Sequence, residues 1–175
     1  AICHAMSTVS TGGLSTKDAS IGFYNNPFIE MIVMVFMILG GSTLILYIKL
    51  WNGDAKAFRH DSQLRAYLLT LFLASILVVF LQWMSNHSDF MTSLRHGAFI
   101  TISTITTTGF ITSDYGQWGP FFGMLFFVLG MIGGCTGSTT GGIKIFRFQV
   151  LFALTKVHLL QLRRPHGVYV PTYQD

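Results

Sequence analysis

Ser103 to Asp114 reads STITTTGFITSD, and Ser7 to Asp18 reads STVSTGGLSTKD. Offset by 96 residues, the two stretches are identical at six of twelve positions: Ser7/Ser103, Thr8/Thr104, Thr11/Thr107, Gly13/Gly109, Thr16/Thr112 and Asp18/Asp114. Val9/Ile105, Ser10/Thr106 and Leu14/Phe110 are conservative replacements. Each copy precedes an apolar span. A repeat with one hydroxyl-rich loop per unit suggests pseudo-symmetric elements around an axis. Alternating Thr and Ile also describes an ordinary β-strand. The choice between strand and pore loop decides the fold, and it rests on what surrounds the two copies.

The surroundings have membrane length. Pro27 to Leu50, PFIEMIVMVFMILGGSTLILYIKL, is charged only at Glu30 and Lys49, near its ends. As one helix, its residues extend about 36 Å, enough to cross a hydrocarbon core of about 30 Å. Pro27 suits the first helical turn, and Tyr47 and Trp51 suit an interfacial aromatic belt. Lys49 to Arg65 is a short polar loop, and Ala66 to Met84 is a second span without charge, ended by Trp83. Asp89 to Ser103 reads as a helix capped by Ser88 or Asp89, about 22 Å long and too short to cross. Gly119 to Ile132 is apolar, Gly133 to Gly142 (GGCTGSTTGG) interrupts it, and Ile143 to Leu162 resumes as a helix that ends at Arg163, Arg164 and Pro165.

Composition agrees. Charged residues are 10%, hydrophobic residues 51% and mean hydropathy is +0.54, against roughly 25% charged in a soluble domain. The net charge of +4 flanks the apolar spans instead of forming a stripe, which argues against nucleic acid as a partner. Lys49, Lys56, Arg59 and Arg65 lie in the first loop and Lys156, Arg163 and Arg164 at the C-terminal end, whereas Lys17 and Arg95 fall on the other side. The positive-inside rule makes the 49–65 loop and the tail cytoplasmic. Both basic segments suit a cytoplasmic partner or simple anchoring. The chain starts at Ala1 without Met and ends in a polar stretch, as expected of an excerpt from a longer polypeptide.

An open strand edge cannot face lipid, so extended backbone at this depth must line a polar cavity. The repeated stretches therefore read as pore loops. A monovalent cation needs several weak oxygen ligands, which backbone carbonyls supply without fixed charge. Gly permits the dihedrals that aim successive carbonyls inward. A short helix ending at the loop turns its negative end toward the ion path, and Asp89 to Ser103 has that layout, with Ala1 to Ser7 as the tail of its equivalent. In the interrupted span, five glycines at about 1 kcal/mol each predict unwinding. Close helix packing is the competing reading of these small residues. Gly137 to Gly142 fits the start of a phosphate-binding loop, but Ile143 stands where Lys is required. Lys144 and Arg147 are spaced to share a helix face.

Cys3 and Cys135 have no metal or redox spacing and read as two buried free thiols. The six histidines read as ordinary hydrogen-bonded groups. Glu30 suits cation attraction, capping or interface placement, and Arg95 is expected to snorkel to the outer surface. No catalytic constellation is visible, and no enzyme or organic cofactor is expected.

Taken together, the loops after short helices, each followed by an inner span, resemble the superfamily of potassium transporters. AICHAMSTVSTGGLSTKDASIG resembles the second pore loop of TrkH/TrkG proteins, and GGCTGSTTGGIKIFR the interrupted inner helix of their third repeat. The resemblance covers nearly the whole chain. It implies an all-α integral membrane protein with channel-like helix–pore loop–helix repeats, re-entrant filter loops and a broken inner helix. Residues 1–50 would end the second repeat, 51–65 form a cytoplasmic loop, 66–162 the third repeat, and 163–175 start a cytoplasmic linker. The first and fourth repeats would lie outside, so these residues alone could not close a filter. The filter glycines map to Gly13 and Gly109, and the potassium-coordinating carbonyls to Ser10, Thr11 and Gly12 and to Thr106, Thr107 and Thr108. Neither loop has a GYG ending, which implies looser discrimination against sodium. The resemblance makes the interrupted segment a gate built from Gly133, Gly134, Gly137, Ser138, Thr139, Thr140, Gly141 and Gly142, with Lys144 and Arg147. It implies potassium uptake across the bacterial inner membrane, a homodimer, and a nucleotide-binding regulatory subunit of TrkA type. The alternative is an ion-coupled secondary transporter with broken helices.

Overall fold

The computed structural model describes residues 1–53, 61–86 and 89–163. Among these residues the fold is helical, and β-type pairing is confined to one parallel bridge between Ile132 and Ile143. The helices are α1 (Ile2–Val9), α2 (Pro27–Gly40), α3 (Leu44–Trp51), α4 (Ser62–Asn86), α5 (Phe90–Ile105), α6 (Pro120–Gly130) and α7 (Ile145–Arg163). Tight 3-10 turns occupy Ser20–Tyr24 and Tyr115–Trp118. Lys56, Arg59, His60, His87, Ser88, Arg164, His166 and the expected linker beyond Arg163 lie outside the described residues.

The span expected over Pro27 to Leu50 is not one helix. It starts as anticipated, with Pro27 in the first turn and Asn26 Oδ1 accepting from Phe28 N at 2.9 Å. It then breaks at 41–43, and α2 and α3 meet at 93°. The cause is tertiary. Gly41 O accepts from Cys135 N at 2.9 Å, and Gly40 O accepts from Thr139 N at 3.4 Å, so these carbonyls are engaged by a distant loop rather than by the next helical turn. Leu39 O accepts from the hydroxyls of Ser42 and Tyr47, each at 2.7 Å. Glycine is required here for space: a Cβ on Gly41 would lie 2.1 Å from Tyr67 Oη.

The second span is continuous and longer than the apolar run. Asp61 Oδ1 accepts from Leu64 N at 2.8 Å and starts α4 ahead of Ala66. Its 25 residues extend about 37 Å, and it is long and apolar enough to cross a membrane, as is α7. Leu64, Tyr67, Leu71, Ala74 and Val78 form its buried stripe, at three- and four-residue spacing, while Leu69, Phe72, Leu73 and Phe80 on other faces are exposed. A helix that is apolar on both faces fits protein on one side and lipid on the other.

α5 packs along α4. A Cβ on Gly97 would lie 2.8 Å from Gln82 Oε1 and 3.1 Å from Val79 Cγ2, so a glycine there lets the two helices approach closely. Asp89 stands at the N-cap of α5, but its side chain makes no capping bond. The helix extends two residues past Ser103, with Phe99 to Ser103 and Ile105 buried. At 16 residues, about 24 Å, it is still too short to cross. Phe99, Ile100, Ile105, Phe110, Met37, Val78 and Cys135 form the centre of the core.

Candidate functional site

The two Thr/Gly loops fold alike. Ser10 N bonds Met6 O at 3.0 Å and Thr106 N bonds Ile102 O at 2.9 Å. Thr11 N bonds Thr8 O at 3.2 Å and Thr107 N bonds Thr104 O at 3.0 Å. Gly12 N bonds Ser7 O and Thr108 N bonds Ser103 O, at 2.8 and 2.9 Å. Every pair is 96 residues apart. The dihedrals repeat as well: φ is positive at Thr11 and Gly13 (50° and 66°) and at Thr107 and Gly109 (54° and 84°). Glycine adopts this region freely, but a threonine there is strained by roughly 1–2 kcal/mol. Behind the loops, the equivalent hydroxyls of Ser7 and Ser103 are both buried with no hydrogen-bond partner.

The loops abut. A Cβ on Gly13 would lie 1.8 Å from Thr108 O, whereas one on Gly109 would meet nothing within 4 Å. The contact is therefore head-to-tail: one unit's glycine touches the next loop, and that loop's own glycine faces open space. Gly22 N also donates to Ile111 O at 3.1 Å. Of the eight residues expected in this site, Thr11, Thr106 and Thr108 are buried and Ser10, Gly12 and Gly109 exposed, with Gly13 and Thr107 between. Thr106 and Thr108 share a hydroxyl hydrogen bond of 2.8 Å.

The Gly-rich segment lies directly against both loops, and it is unwound, as its glycines predict. Its two arms close on themselves, Gly133 N bonding Ile143 O at 2.9 Å and Ile143 N bonding Met131 O at 2.8 Å. Gly134 N donates to Thr140 Oγ1 at 2.9 Å, and Ser138 Oγ to Cys135 O at 2.7 Å. Thr11 Oγ1 donates to Thr139 O at 2.9 Å, and Thr107 Oγ1 accepts from Gly141 N at 2.7 Å. Lys144 precedes α7 instead of sharing a face with Arg147. Its ammonium turns back to Thr140 O, to Thr140 Oγ1 at 3.0 Å and to Ser138 Oγ at 3.4 Å, while Arg147 is exposed. Gly137 has positive φ, and its carbonyl accepts from Leu44 N at 3.3 Å.

Two expectations change. Arg95 does not snorkel free: its Nε and Nη2 both reach the Glu30 carboxylate at 2.7 Å, and Nη2 also reaches Asn25 Oδ1 at 3.0 Å. Glu30 is 1% exposed, so the pair ties α5 of one unit to α2 of the other. Sequence reading missed this pair because its members are 65 residues apart. Of the two thiols, Cys135 is buried, but Cys3 is exposed, on the open side of α1. His4 and His96 are hydrogen-bonded as expected, to Ser15 Oγ at 2.9 Å and Thr112 Oγ1 at 3.0 Å.

Short helices that end in left-handed Thr/Gly loops, each followed by an interrupted apolar helix pair, define an integral-membrane protein built from repeated pore-loop units. The model of the TrkH family, described as cation transport protein, matches residues 1–171, and the chain belongs to that family. It is 39% identical over 176 residues to the Trk system potassium uptake protein TrkI of Halomonas elongata, covering 100% of this chain and 36% of that protein. It is 33% identical to the Trk system potassium uptake protein TrkH of Escherichia coli K12, covering 97% and 35%. The crystal structure of the potassium transporter TrkH from Vibrio parahaemolyticus superposes with a TM-score of 0.91 at 29% identity, covering 98% of this chain and 37% of that one. The chain thus spans about a third of the length of these relatives.

Proposed function

We propose that the chain is the second-to-third-repeat segment of a protein that takes up potassium across the bacterial inner membrane. The observation that carries this reading is the pair of equivalent Thr/Gly loops, alike in hydrogen bonds and dihedrals and abutting head-to-tail at Gly13 and Thr108. Such loops supply potassium ligands from the carbonyls of Ser10, Thr11, Gly12 and Gly13 and of Thr106, Thr107, Thr108 and Gly109. Carbonyl rings replace an ion's hydration shell without holding it too tightly to leave. The open face of Gly109 is where a further unit would continue the ring. Residues 1–50, 51–65, 66–162 and 163–175 act as the end of one repeat, a cytoplasmic loop, a full repeat and the start of a linker.

The segment from Gly133 to Gly142, with Lys144, acts as the gate. Its support is position: it touches both loops and has no helical ladder of its own to break when it moves. Arg147, exposed at the start of α7, belongs to the same end. The names of the relatives support a potassium substrate. The assembly would be a homodimer in the bacterial inner membrane, controlled by a nucleotide-binding subunit of TrkA type. Broken helices also occur in ion-coupled secondary transporters, but the buried carboxylate that such a site would use, Glu30, is paired with Arg95.

The test is potassium, rubidium and sodium flux into liposomes that hold the full-length protein and its Gly109→Ser variant. Potassium flux with altered ion preference in the variant is expected. A folded parent protein that passes no cation with its regulator present overturns the reading.

A further inference from the structure

Thr11 and Thr107 stand out twice. Both are β-branched residues at positive φ, where glycine or asparagine would fit without strain. Both are the same position of the repeat, and each sends its hydroxyl out of its own loop to the Gly-rich segment, Thr11 across units and Thr107 within its own. Thr11 Oγ1 donates to Thr139 O at 2.9 Å, and also lies 3.2 Å from Thr139 Oγ1 and 2.8 Å from its neighbour Ser10 O. Thr107 Oγ1 accepts from Gly141 N at 2.7 Å. One hydroxyl holds a carbonyl and the other an amide, on either side of Thr140. Thr140 itself turns inward, taking Gly134 N and Lys144 on its side-chain oxygen.

Carbonyl coordination alone does not require threonine at these positions, because the main chain supplies it whatever the side chain. We infer that Thr11 and Thr107 are positioning residues that latch the Gly-rich segment to the two loops, so that the segment cannot leave the pore axis without releasing both hydroxyls. The inference rests on the proposed gate. Loss of either hydroxyl leaves a main-chain group of the segment unpaired in the latched state and free to be solvated once released. Valine, the same shape without the hydroxyl, therefore favours release.

A reporter is built in. Cys135 lies in the segment with no exposed surface, and Cys3 is exposed. The experiment uses full-length protein in liposomes with every cysteine but Cys135 replaced by serine. It compares Thr11→Val, Thr107→Val, the double variant, and Thr→Ser at each site. Alkylation of Cys135 and regulator-free potassium flux are both measured, with the potassium-to-sodium ratio alongside. Each valine is expected to raise alkylation and basal flux about five-fold, which corresponds to about 1 kcal/mol per hydrogen bond, and serine to restore the parent values. If valine changes nothing while Gly141→Ala and Gly142→Ala alter flux, the latch fails and the gate stands. If the glycine variants are silent too, the gate reading fails first. If serine behaves like valine, the side chain acts by packing and the latch is overturned. If valine alters only ion preference with Cys135 still protected, the hydroxyls serve their own loops and the latch is again overturned.

Discussion

Glu30 and Arg95 show how a single residue's surroundings decide what its loss costs. The carboxylate is 1% exposed and the guanidinium side chain 26%. Losing the arginine strands a charge that water cannot reach, whereas losing the carboxylate leaves a long side chain able to turn toward water. Breaking a buried pair from the buried side's point of view costs on the order of 3 kcal/mol. Arg95→Ala should therefore lower the unfolding midpoint of the detergent-solubilised protein clearly more than Glu30→Gln does. Equal shifts in a thermal-melt comparison would mean that the pair is solvated. Neither partner was assigned to the other from the sequence, because nothing in a string of residues relates position 30 to position 95 until the units pack. The glycines of the loops were legible earlier, since a repeat aligned at 96 residues isolates Gly13 and Gly109 without any structure.

At the scale of elements, the two interruptions are one construction. The break at 41–43 and the segment from Gly133 to Gly142 exchange main-chain hydrogen bonds: Cys135 N to Gly41 O, Thr139 N to Gly40 O, and Leu44 N to Gly137 O. Each interruption satisfies the polar groups that the other exposes, which is how unwound backbone survives at membrane depth. The longer interruption was legible because five glycines within ten residues cannot hold a helix. The shorter one was not. Two glycines in an apolar run are tolerated by an isolated helix, and the partner that pulls their carbonyls away is about a hundred residues distant. Tyr67 fixes the same junction, its ring buried against Gly41 and its hydroxyl 3.3 Å from Ile38 O. Gly41→Ala should destabilise the protein, since the added methyl collides with Tyr67. Tyr67→Leu opens room, so the double variant should be less destabilised than the two single losses summed, by about 1 kcal/mol or more. Additive losses in denaturant titrations would show that the glycine is needed for its backbone freedom instead.

For the whole molecule, the packing fixes which ends lie together, and charge then predicts which side they face. Gln149 Nε2 reaches Ser62 O at 3.1 Å, so the start of α7 lies beside the start of α4. Glu30 and Arg95 join the first turns of α2 to α5 at the opposite end. The basic residues Lys49, Lys156 and Arg163 belong to helices leading from the first of these ends, which the positive-inside rule predicts to be the cytoplasmic one. The apolar side chains left exposed, among them Phe72, Leu73, Met124 and Phe127, are too many for a surface in water and fit lipid or neighbouring units. A labelling experiment separates the two orientations. Asn52 and Gln117 are exposed, one after α3 and one before α6. In full-length protein without other cysteines, Gln117→Cys should react with a membrane-impermeant maleimide in intact spheroplasts. Asn52→Cys should react only after the membrane is opened. The reverse pattern would invert the protein and move the Gly-rich segment, the proposed gate, to the outer side of the loops. Labelling of both from one side would mean that α2 and α3 turn back without crossing, and with that the proposed path through Gly13 and Gly109 would have no far side to lead to.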